Sequence, residues 1–326
     1  MLAEVIRESE WYLQMELDVV IPTYNRQELI KRTLSSLHRA SVPSGLSVRV
    51  TVVDNNSKDE TRQVVEQWMP KFDGRLRYVL ESRQGRSHAL NAGIVSTAGD
   101  LVGMIDDDEE IDEGWYASIH SAFRDQDVDF IGGPYVPRWG ADCPAWFPHQ
   151  YRGVVGWVDS GDKVCAFDEN FSGMLMGGNA VLTRAILEKV GPYSTSLGRT
   201  DKHLLSCEDE EMYQRLMKAG ARGLYLPHLI IYHYIPPERL TKRYFRQWCF
   251  WRGVSQGVMD KERPTPVAYL AGVPRWLYGR AARGTLQTLK SLPSRNTDVA
   301  QKFTDELAVW DLAGFFYGKH LYKPAH

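Results

Sequence analysis

A dense acidic run directly follows a short apolar segment of the chain. Seven of the eight residues at positions 106–113 are carboxylates, and the preceding residues 101–105 read Leu-Val-Gly-Met-Ile. Like charges at this density repel, so a folded protein either keeps them in water or neutralises them with a cation. Because alternate side chains of an extended segment point the same way, Asp106 and Asp108 could share one Mg²⁺ or Mn²⁺ ion. Such an ion keeps positions open for phosphate oxygens, which predicts phosphate-ester or nucleotide chemistry.

The acidic run has two other interpretations, a solvated surface loop and a calcium-binding loop. A calcium loop of the EF-hand type needs Gly at its sixth position and Glu at its twelfth. Counted from Asp106, these positions hold Ile111 and Ala117. The calcium loop is therefore excluded, and the solvated loop stays open.

Two earlier apolar segments also end in residues that suit a nucleotide. Residues 17–21 lead into Pro22-Thr23-Tyr24-Asn25-Arg26, a rigid turn that could cradle a flat base. Residues 48–53 lead directly into Asp54, whose carboxylate could accept hydrogen bonds from a base N–H or a ribose hydroxyl. Taken alone, Asp54 is as well explained by an Asx turn or a helix cap. Three segments with compatible ends predict a nucleotide diphosphate lying across one edge of a sheet.

The elements needed to position these residues follow from the hydrophobic pattern. The first half of the chain alternates short β-branched runs with helix-period segments, which is typical of a sheet covered by helices. The predicted strands are 17–21, 48–53, 76–80, 101–105 and 128–131. The predicted helices are 27–39, 59–68, 87–95 and 114–123. The pattern indicates an α/β fold with a nucleotide-binding type of sheet.

Periodicity fades between residues 132 and 172, where four prolines are interleaved with Trp139, Trp146 and Trp157. We expect a long, ordered, irregular segment here, because structureless loops of this length are usually functional or disordered. Its tryptophans could stack on a sugar or could simply pack the loop. Regular structure then returns, with helices predicted at 183–189 and 208–218. Residues 224–234 are predicted to form either a strand pair or one long strand interrupted at Pro227.

The last part of the chain is predicted to be helical, basic and rich in aromatic residues. From Glu238 to Lys290 there are eleven basic residues and three acidic ones. We therefore expect a catalytic domain at 1–237 and a helical extension at 238–326. The basic helix after Pro237, with Trp248, Trp251 and the later Trp276, could lie on an anionic membrane surface. The alternative is a packed helix whose charges face water.

Composition excludes several classes of protein. The net charge is −2, with 39 basic and 41 acidic side chains, so no nucleic-acid partner is expected. Four widely spaced cysteines show no Cys-x-x-Cys pair, which argues against zinc and a disulfide framework. The acidic first 16 residues differ from a signal peptide, and no uninterrupted apolar stretch approaches 18 residues. A cytoplasmic protein is expected, with peripheral contact at the inner membrane face left open.

Four segments in order resemble family 2 glycosyltransferases of the GT-A fold. They are residues 19–26 (VVIPTYNR), 53–59 (VDNNSKD), 85–93 (GRSHALNAG) and 105–108 (IDDD). The resemblance continues through Gly177-Gly178-Asn179, Glu208-Asp209 and His233, and it covers roughly residues 17–255. It implies a mixed nucleotide-binding sheet flanked by helices, followed here by a helical C-terminal extension.

The resemblance also implies roles for individual residues. Asp209 matches the catalytic base, while Asp106, Asp108 and His233 match residues that contact a divalent metal, Mn²⁺ or Mg²⁺. The expected nucleotide-binding residues are Pro22, Thr23, Tyr24, Arg26, Asp54, Arg83, Arg86, Asn91, Asp106 and Asp107. The residues expected near the acceptor or donor sugar are Gly178, Asn179, Glu208 and Trp157.

Other interpretations remain for two of these residues. Residues 206–209 also read as a helix capping box with Ser206 as the cap. His233 on its own would be a hydrogen-bonded strand histidine. The middle position of the acidic triplet is also an aspartate, Asp107, so the sequence leaves open which two carboxylates contact metal and ribose.

The function implied is an inverting, metal-dependent glycosyltransferase. It would move a sugar from a nucleotide-diphosphate donor, expected to be a UDP-sugar, to a hydroxyl of a saccharide or lipid-linked saccharide. One alternative is a sugar nucleotidyltransferase, which would need a glycine-rich loop after the first strand, where Pro22-Thr23-Tyr24-Asn25-Arg26 stands. The other is a carbohydrate-binding protein with a structural cation.

Overall fold

The computed structural model describes residues 14–199, 203–291 and 298–323, and the chain divides into two compact units. The first unit takes in the chain up to Val136, then Asp159–Tyr193 and Met212–Tyr232. The second takes in Pro137–Val158, Ser194–Glu211 and the chain from His233 onward. The expected boundary after residue 237 lies near the start of this last stretch.

The strands of the described chain form one large sheet and two small ones. They are β1 (Met15–Thr23), β2 (Leu46–Asp54), β3 (Leu76–Leu80), β4 (Leu101–Met104), β5 (Glu109–Ile111), β6 (Phe130–Gly132), β7 (Tyr135–Trp139), β8 (Cys165–Ala166), β9 (Ala180–Thr183), β10 (Gly223–Tyr225), β11 (Ile231–Ile235), β12 (Tyr269–Leu270) and β13 (Val273–Pro274). The eight-stranded sheet has the order β3-β2-β1-β4-β9-β6-β10-β8. The others are a three-stranded sheet, β5-β11-β7, and a hairpin of β12 and β13.

The large sheet is mixed. Its first four strands, β3, β2, β1 and β4, are parallel neighbours, whereas β9 is antiparallel to both β4 and β6. Residues Leu17 and Val19–Ile21 of β1 are fully buried, as expected for a parallel strand covered on both faces. The carboxyl ends of β1, β2 and β4 therefore meet at one edge of the sheet.

The helices pack through apolar stripes at helical spacing. They are α1 (Gln27–Arg39), α2 (Thr61–Trp68), α3 (Arg86–Val95), α4 (Trp115–Asp125), α5 (Arg184–Val190), α6 (Glu208–Lys218), α7 (Lys242–Glu262), α8 (Arg275–Ser291) and α9 (Val299–His320). In α1 the buried residues Ile30, Thr33, Leu34 and Leu37 share one face. Among the described residues, every helix is too short or too polar to cross a bilayer.

The core of the first unit joins the large sheet to the helices beside it. Val20, Val53, Leu90 and Met104 belong to one buried cluster. Gly223 packs against the ring of Phe130 so closely that a Cβ there would lie 2.1 Å from Phe130 Cζ. A side chain at position 223 would therefore displace that ring from the core.

The second unit has an aromatic cluster of its own. The ring of Trp146 meets those of Phe245 and Phe303 edge to face at centroid distances of 5.7 and 5.2 Å. Phe147 packs against Phe245 in the same way at 5.7 Å. Edge-to-face pairs are favourable because the positive ring edge meets the negative ring face.

Helices α7 and α9 approach each other through glycines. Gly253 and Gly257 of α7 face Gly314 and Gly318 of α9, four residues apart in both helices. A Cβ at Gly314 would lie 1.9 Å from the carbonyl oxygen of Phe250, so the two backbones leave no room for a side chain. Two small residues at this spacing are a common way to bring helix backbones into contact.

Most predicted elements of the first half are present, and the α/β class is confirmed. The strand at 76–80 and the helices at 27–39 and 208–218 have the expected limits. Of the two arrangements expected for 224–234, the strand pair is the one present, as β10 and β11. The segment at 132–172 is not wholly irregular, because it contains β7 and β8. Strand β5 lies inside the acidic run. Two of its three residues are glutamates, which have low β propensity, so the strand forms because it pairs with a neighbouring strand in the sheet.

Candidate active site

The candidate site lies at the carboxyl edge of the first parallel strands. Thr23, the last residue of β1, is in register with Asp54, the last residue of β2. On the other side of β1, the backbone N–H of Ile105 donates to the carbonyl of Val20 at 3.2 Å, just beyond the end of β4. The three segments predicted to bind a nucleotide therefore end side by side in the first unit.

The acidic triplet forms a turn in which each aspartate has a different partner. The backbone N–H of Glu109 donates to the carbonyl of Asp106 at 3.2 Å and closes the turn. Arg86 donates from Nε and Nη2 to Asp106 Oδ1 at 2.9 and 2.8 Å. The hydroxyl of Thr23 donates to Asp107 Oδ2 at 2.8 Å. Arg26 Nη1 lies 3.6 Å from Asp108 Oδ2.

Glu109 stabilises this turn through a buried hydrogen bond. Its side chain is fully buried, and its Oε2 accepts a hydrogen bond from the backbone N–H of Asp106 at 2.8 Å. Its other oxygen, Oε1, has no hydrogen-bond partner among the described residues. Burial, together with the charges of Asp106 and Asp108, raises the pKa of Glu109 well above its usual range.

The cluster suits a divalent cation. Burial and the neighbouring Asp108 carboxylate raise the pKa of Asp107 to about 7, although Arg26 and Thr23 oppose this rise. Four carboxyl groups thus crowd beside Arg26 and Arg86, and their mutual repulsion is what a bound cation would relieve. Among the described residues no three His, Cys, Asp or Glu side chains converge as a complete metal site. A magnesium-type ion needs only one or two carboxylates when phosphate oxygens and water supply the rest.

The end of β2, on the other side of β1 from the acidic turn, has side chains that suit a nucleoside. Asp54 is buried, and its carboxylate accepts hydrogen bonds from the Tyr78 hydroxyl at 2.7 Å and from the Ser57 N–H at 2.8 Å. The second of these reaches three residues along the chain, the spacing of a cap contact and not of an Asx turn. Each carboxylate oxygen has two acceptor sites, so both can still receive a ligand hydrogen bond. Tyr24 is half-buried at the end of the same edge.

Asn55 was not singled out from the sequence, although it follows Asp54. Its Nδ2 donates to the carbonyls of Glu81 and Arg83 at 3.0 and 2.7 Å, and its Oδ1 accepts from the N–H of Gly85 at 2.7 Å. Its own N–H donates to the carbonyl of Thr23 at 2.8 Å. Asn55 therefore ties the ends of β1 and β2 to the loop that precedes α3.

Arg83 and Arg86, both expected to bind the nucleotide, differ in their surroundings. Arg86, at the start of α3, pairs with Asp106 of the acidic turn. Arg83 is exposed and forms a two-pronged pair with Glu81. The hydrogen bonds from Arg83 lower the pKa of Glu81 to about 2. Arg86 is thus the one that already contacts the acidic turn.

Asn91 and Asn179 have mainly structural partners. The amide of Asn91 exchanges two hydrogen bonds with the backbone of Tyr193, at 2.8 and 2.9 Å. Asn179 is fully buried, where it accepts from Trp115 Nε1 at 2.9 Å and donates to the carbonyl of Leu229 at 2.6 Å. These contacts surround the Asn179 side chain with protein groups. Its burial therefore does not support the expected contact with a sugar.

Gly178 lies directly against the acidic turn. A Cβ at this position would lie 2.4 Å from Glu109 Oε1 and 2.7 Å from Oε2. The glycine is therefore required for the close approach of this segment to Glu109. The segment that contains Gly178 and Asn179 therefore packs against the acidic turn through Glu109.

The expected base, Asp209, and Glu208 lie in the second unit, in the first turn of α6. Glu208 is buried and Asp209 is half-buried. The helix begins at Glu208, one residue later than a cap at Ser206 requires, and the preceding Cys207 has a φ of 73°. The capping box anticipated for residues 206–209 is therefore not the arrangement observed. A helix N-terminus still favours an ionised carboxylate at position 209.

His233 and Trp157 also belong to the second unit. His233 is buried, and its Nε2 lies 3.2 Å from Arg239 Nη1. Gly156 packs on its ring, because a Cβ there would lie 2.6 Å from His233 Cε1. Trp157 meets Trp139 edge to face at 5.9 Å and lies beneath the Arg152 guanidinium at 5.6 Å. The packing interpretation of these tryptophans fits their contacts in this unit.

Known proteins share the sequence pattern and the fold. A sequence model of the family described as Glycosyl transferase family 2 matches residues 18–191. The glucosyl-dolichyl phosphate glucuronosyltransferase of Haloferax volcanii is 28% identical over 253 residues, covering 76% of this chain and 78% of the relative. The succinoglycan biosynthesis protein ExoM of Rhizobium meliloti is 27% identical over 253 residues, covering 76% of each chain.

Among solved structures, the mannosyltransferase PcManGT from Pyrobaculum calidifontis, in complex with GDP-Man and Mn²⁺, superposes with a TM-score of 0.62. The match covers 94% of this chain and 87% of that one at 18% sequence identity. An identity this low supports a shared fold and carries no residue roles.

Proposed function

The chain belongs to glycosyl transferase family 2, and from that premise we propose that it transfers a sugar, with inversion, from a nucleotide-diphosphate donor to an acceptor hydroxyl. It is a glycosyltransferase with the GT-A type of fold. Because the chain belongs to this family, we set aside the two alternative functions, a sugar nucleotidyltransferase and a carbohydrate-binding protein. The proposal concerns the metal, the donor, the stereochemistry and the acceptor.

The observation that carries the proposal is the acidic turn at the end of β4. Its carboxylates lie beside Thr23 and, through β1, next to the strand that ends in Asp54. In the proposed complex Asp54, with Tyr24 nearby, receives the base or ribose, and Asp106 to Asp108 face the pyrophosphate. Pro22 is buried within β1 and is followed by Thr23, the last residue of that strand, so the turn expected at 22–26 begins only after Thr23.

We assign Asp106 and Asp108 to a divalent cation, Mn²⁺ or Mg²⁺, with His233 as a further contact carried by the resemblance. When bound, the ion would stabilise the negative charge that develops on the leaving nucleotide diphosphate. The crowding of four carboxyl groups beside Arg26 and Arg86 supports this assignment. PcManGT, with the same fold, was solved with Mn²⁺.

The protein groups have separate tasks in this proposal. Arg86 and Arg26 supply guanidinium charge beside the pyrophosphate, because guanidinium forks suit phosphate oxygens. Glu109 holds the backbone of the turn in place through Asp106. Asp209 takes the proton from the acceptor hydroxyl as that oxygen attacks the anomeric carbon from the face opposite the leaving group. A single displacement of this kind inverts the anomeric centre.

The acceptor is proposed to be a saccharide or a lipid-linked saccharide. The Haloferax relative is named for glucosyl-dolichyl phosphate, and ExoM for succinoglycan biosynthesis. We propose UDP as the donor nucleotide from the sequence resemblance. The enzyme would then meet a lipid-linked acceptor by peripheral contact with a membrane, through the basic C-terminal segment and on its cytoplasmic face.

The proposal is tested by metal-dependent donor binding. UDP is titrated calorimetrically into the full chain, with Mn²⁺ and then with EDTA, for the wild type and for Asp108→Asn. We expect the manganese-dependent affinity to fall at least about tenfold in the variant, since one ligand charge is lost.

Glu113→Gln is the matched control, because Glu113 belongs to the same acidic run but is exposed beyond the turn. It should bind UDP like the wild type. Equal affinity in Asp108→Asn, or equal binding with EDTA, would contradict the cation assignment. Release of UDP from a panel of UDP-sugars, followed with an added acceptor, then identifies the donor.

A further inference from the structure

Helix α8 has one face inside the second unit and one face outside it. Leu277, Ala281 and Gly284 are buried at a spacing of four and three residues, which places them on one side of the helix. A Cβ at Gly284 would lie 2.5 Å from the carbonyl oxygen of Asp305 in α9. The inner face therefore packs on α9, and the opposite face is exposed.

The exposed face of α8 combines large apolar side chains with basic ones. Trp276, Leu286 and Leu289 are 51%, 52% and 56% exposed. Arg283 and Lys290 are exposed beside them, and so is Arg275 at the start of the helix. At 100° per residue all six lie on the side of the helix opposite Leu277, Ala281 and Gly284.

No acidic side chain offsets the basic ones along this stretch. From Arg263 to Thr297 the sequence contains six basic residues and no aspartate or glutamate. Arg280 pairs with Asp311 of α9, and the charged residues of the exposed face, Arg275, Arg283 and Lys290, are all basic. Charge of this kind is complementary to anionic lipid headgroups, and the large apolar side chains suit the boundary between headgroups and acyl chains.

The earlier part of the basic segment is used differently. Arg246 of α7 pairs with Glu306, Arg252 pairs with the buried Asp311, and Arg239 is itself buried. Trp248 packs against the aromatic core, and Trp251 stacks on His203 at a centroid distance of 4.4 Å. The membrane contact expected around α7 therefore does not fit that helix, and Trp276 is the expected residue whose ring is mostly exposed.

We propose that the outer face of α8 docks on an anionic lipid bilayer. Trp276, Leu286 and Leu289 enter the headgroup region, while Arg275, Arg283 and Lys290 contact lipid phosphates. The proposal rests on the proposed function in one respect, because a lipid-linked acceptor would lie at that same surface. It places the contact on α8 and requires no conformational change of the helix.

The test is co-sedimentation of the full chain with vesicles. We expect binding to vesicles of phosphatidylglycerol and phosphatidylcholine at low salt, and little binding to phosphatidylcholine alone. The charge-reversal pair Arg283→Glu and Lys290→Glu should weaken binding at least about tenfold, because each basic residue near the surface contributes to attraction. Leu286→Gln with Leu289→Gln should lower the binding that remains at high salt, where charge attraction is screened.

Lys31→Glu with Arg124→Glu is the matched control, because both residues are exposed in the first unit. This pair should bind vesicles like the wild type. Failure of the wild type to bind anionic vesicles would overturn the proposal, as would equal binding by the α8 charge-reversal pair. So would a dimer in sedimentation velocity that Leu286→Gln with Leu289→Gln dissolves, since a second copy would then cover this face.

The two proposals fail separately. Manganese-dependent UDP affinity should be unchanged in the α8 variants, because α8 contributes no residue to the acidic turn. Normal UDP binding without vesicle binding would remove only the docking surface. Vesicle binding without metal-dependent UDP binding would remove only the proposed chemistry.

Discussion

At the scale of single residues, the three aspartates of the acidic turn are not equivalent. Asp106 is bound by Arg86, Asp107 by Thr23, and Asp108 lies near Arg26. The backbone carbonyl of Asp107 also accepts from the Thr33 hydroxyl at 2.9 Å, which fixes the middle residue to α1. The middle aspartate is thus held by two threonines, whereas its neighbours face the arginines. This division favours Asp106 and Asp108 as the cation ligands.

The proposed base gives a prediction at this scale. Asp209→Asn keeps the size of the side chain but cannot accept a proton from the acceptor. We expect kcat for transfer to fall by about 10²- to 10⁴-fold, the range typical of a lost general base. The affinity for UDP with Mn²⁺ should stay within about twofold, because Asp209 is assigned neither to the nucleotide nor to the cation.

The adjacent Glu210→Gln serves as the control, because it removes a neighbouring carboxylate from the same helical turn. Its transfer rate should stay close to that of the wild type. Transfer by Asp209→Asn at the wild-type rate would remove Asp209 as the base. A matching loss of UDP affinity would indicate a structural role for the residue.

Part of the site could be predicted from the sequence because its residues directly follow strands. Thr23, Asp54 and Asp106 each come at or just after the end of an apolar run, so their shared edge follows from a parallel sheet. The supporting role of Glu109 could not be found this way, because it depends on the turn that brings Oε2 to a backbone N–H. The links made by Asn55 depend on the loop after β3, and no local pattern encodes them.

At the scale of elements, amphipathic helices and buried parallel strands were the predictable part. Helix α1 has both a clear apolar face and the expected limits. Short strands were missed where pairing alone stabilises them, as in Glu109–Ile111 and Cys165–Ala166. The glycine contact of α7 with α9 was also missed, since the two spaced pairs lie about sixty residues apart in the chain and neither pair alone indicates its partner.

Glycine at this helix contact gives the second prediction. Gly314→Ala would put a methyl group 1.9 Å from the Phe250 carbonyl oxygen, so the helices must separate. We expect a loss of about 1 to 3 kcal/mol in the free energy of unfolding, as for other overpacked sites. Urea denaturation followed by tryptophan fluorescence measures this loss.

Gly279→Ala provides the opposite case in helix α8. A Cβ there would lie 3.9 Å from Arg283 Nη1, at an ordinary van der Waals distance. Alanine favours the helix over glycine by roughly 1 kcal/mol, so this variant should gain stability. If both glycine variants changed stability in the same direction, the close approach of α7 and α9 would be in doubt.

At the scale of the whole molecule, the net charge of −2 conceals an uneven distribution. Carboxylates are concentrated in the turn after β4. Basic residues are concentrated on the outer face of α8, in a stretch of sequence that contains no aspartate or glutamate. A composition summary cannot report this, because charges of opposite sign cancel in the sum. The order of charges along the chain predicts both regions, but the ion pairs of Arg246 with Glu306 and of Arg252 with Asp311 form only in the folded protein.

Acid stability gives a prediction at this scale through Asp18, a buried residue near the start of β1. Burial acts to raise its pKa, but hydrogen bonds from Arg49 and from the N–H groups of Gly99 and Ala98 outweigh this, and the pKa lies below its usual value. Because the folded pKa is lowered, the ionised carboxylate stabilises the protein above about pH 4 and this contribution is lost as pH falls.

Asp18→Asn should therefore lower the free energy of unfolding by about 1 to 3 kcal/mol at pH 7. The difference from the wild type should shrink as the pH falls below the ordinary carboxyl pKa of about 4, because the carboxyl is then protonated first in the unfolded chain and at lower pH in the folded protein. Unfolding in urea at several pH values measures both effects. Asp73→Asn, at an exposed turn with a φ of 49°, is the control and should show no such trend. A difference that is constant with pH would argue against an ionised Asp18.

The bonds of Asn55 have a consequence for the energetics of the reaction. The backbone N–H of Asn55 bonds the end of β1, and its side-chain amide bonds the loop before α3, so one residue at the end of β2 holds these segments in a fixed relation. Dipoles that are fixed before the substrate arrives need not rotate when charge moves in the transition state, so little reorganisation energy is added to the barrier. A small residue that contacts no substrate would then contribute to the rate by keeping its neighbours still.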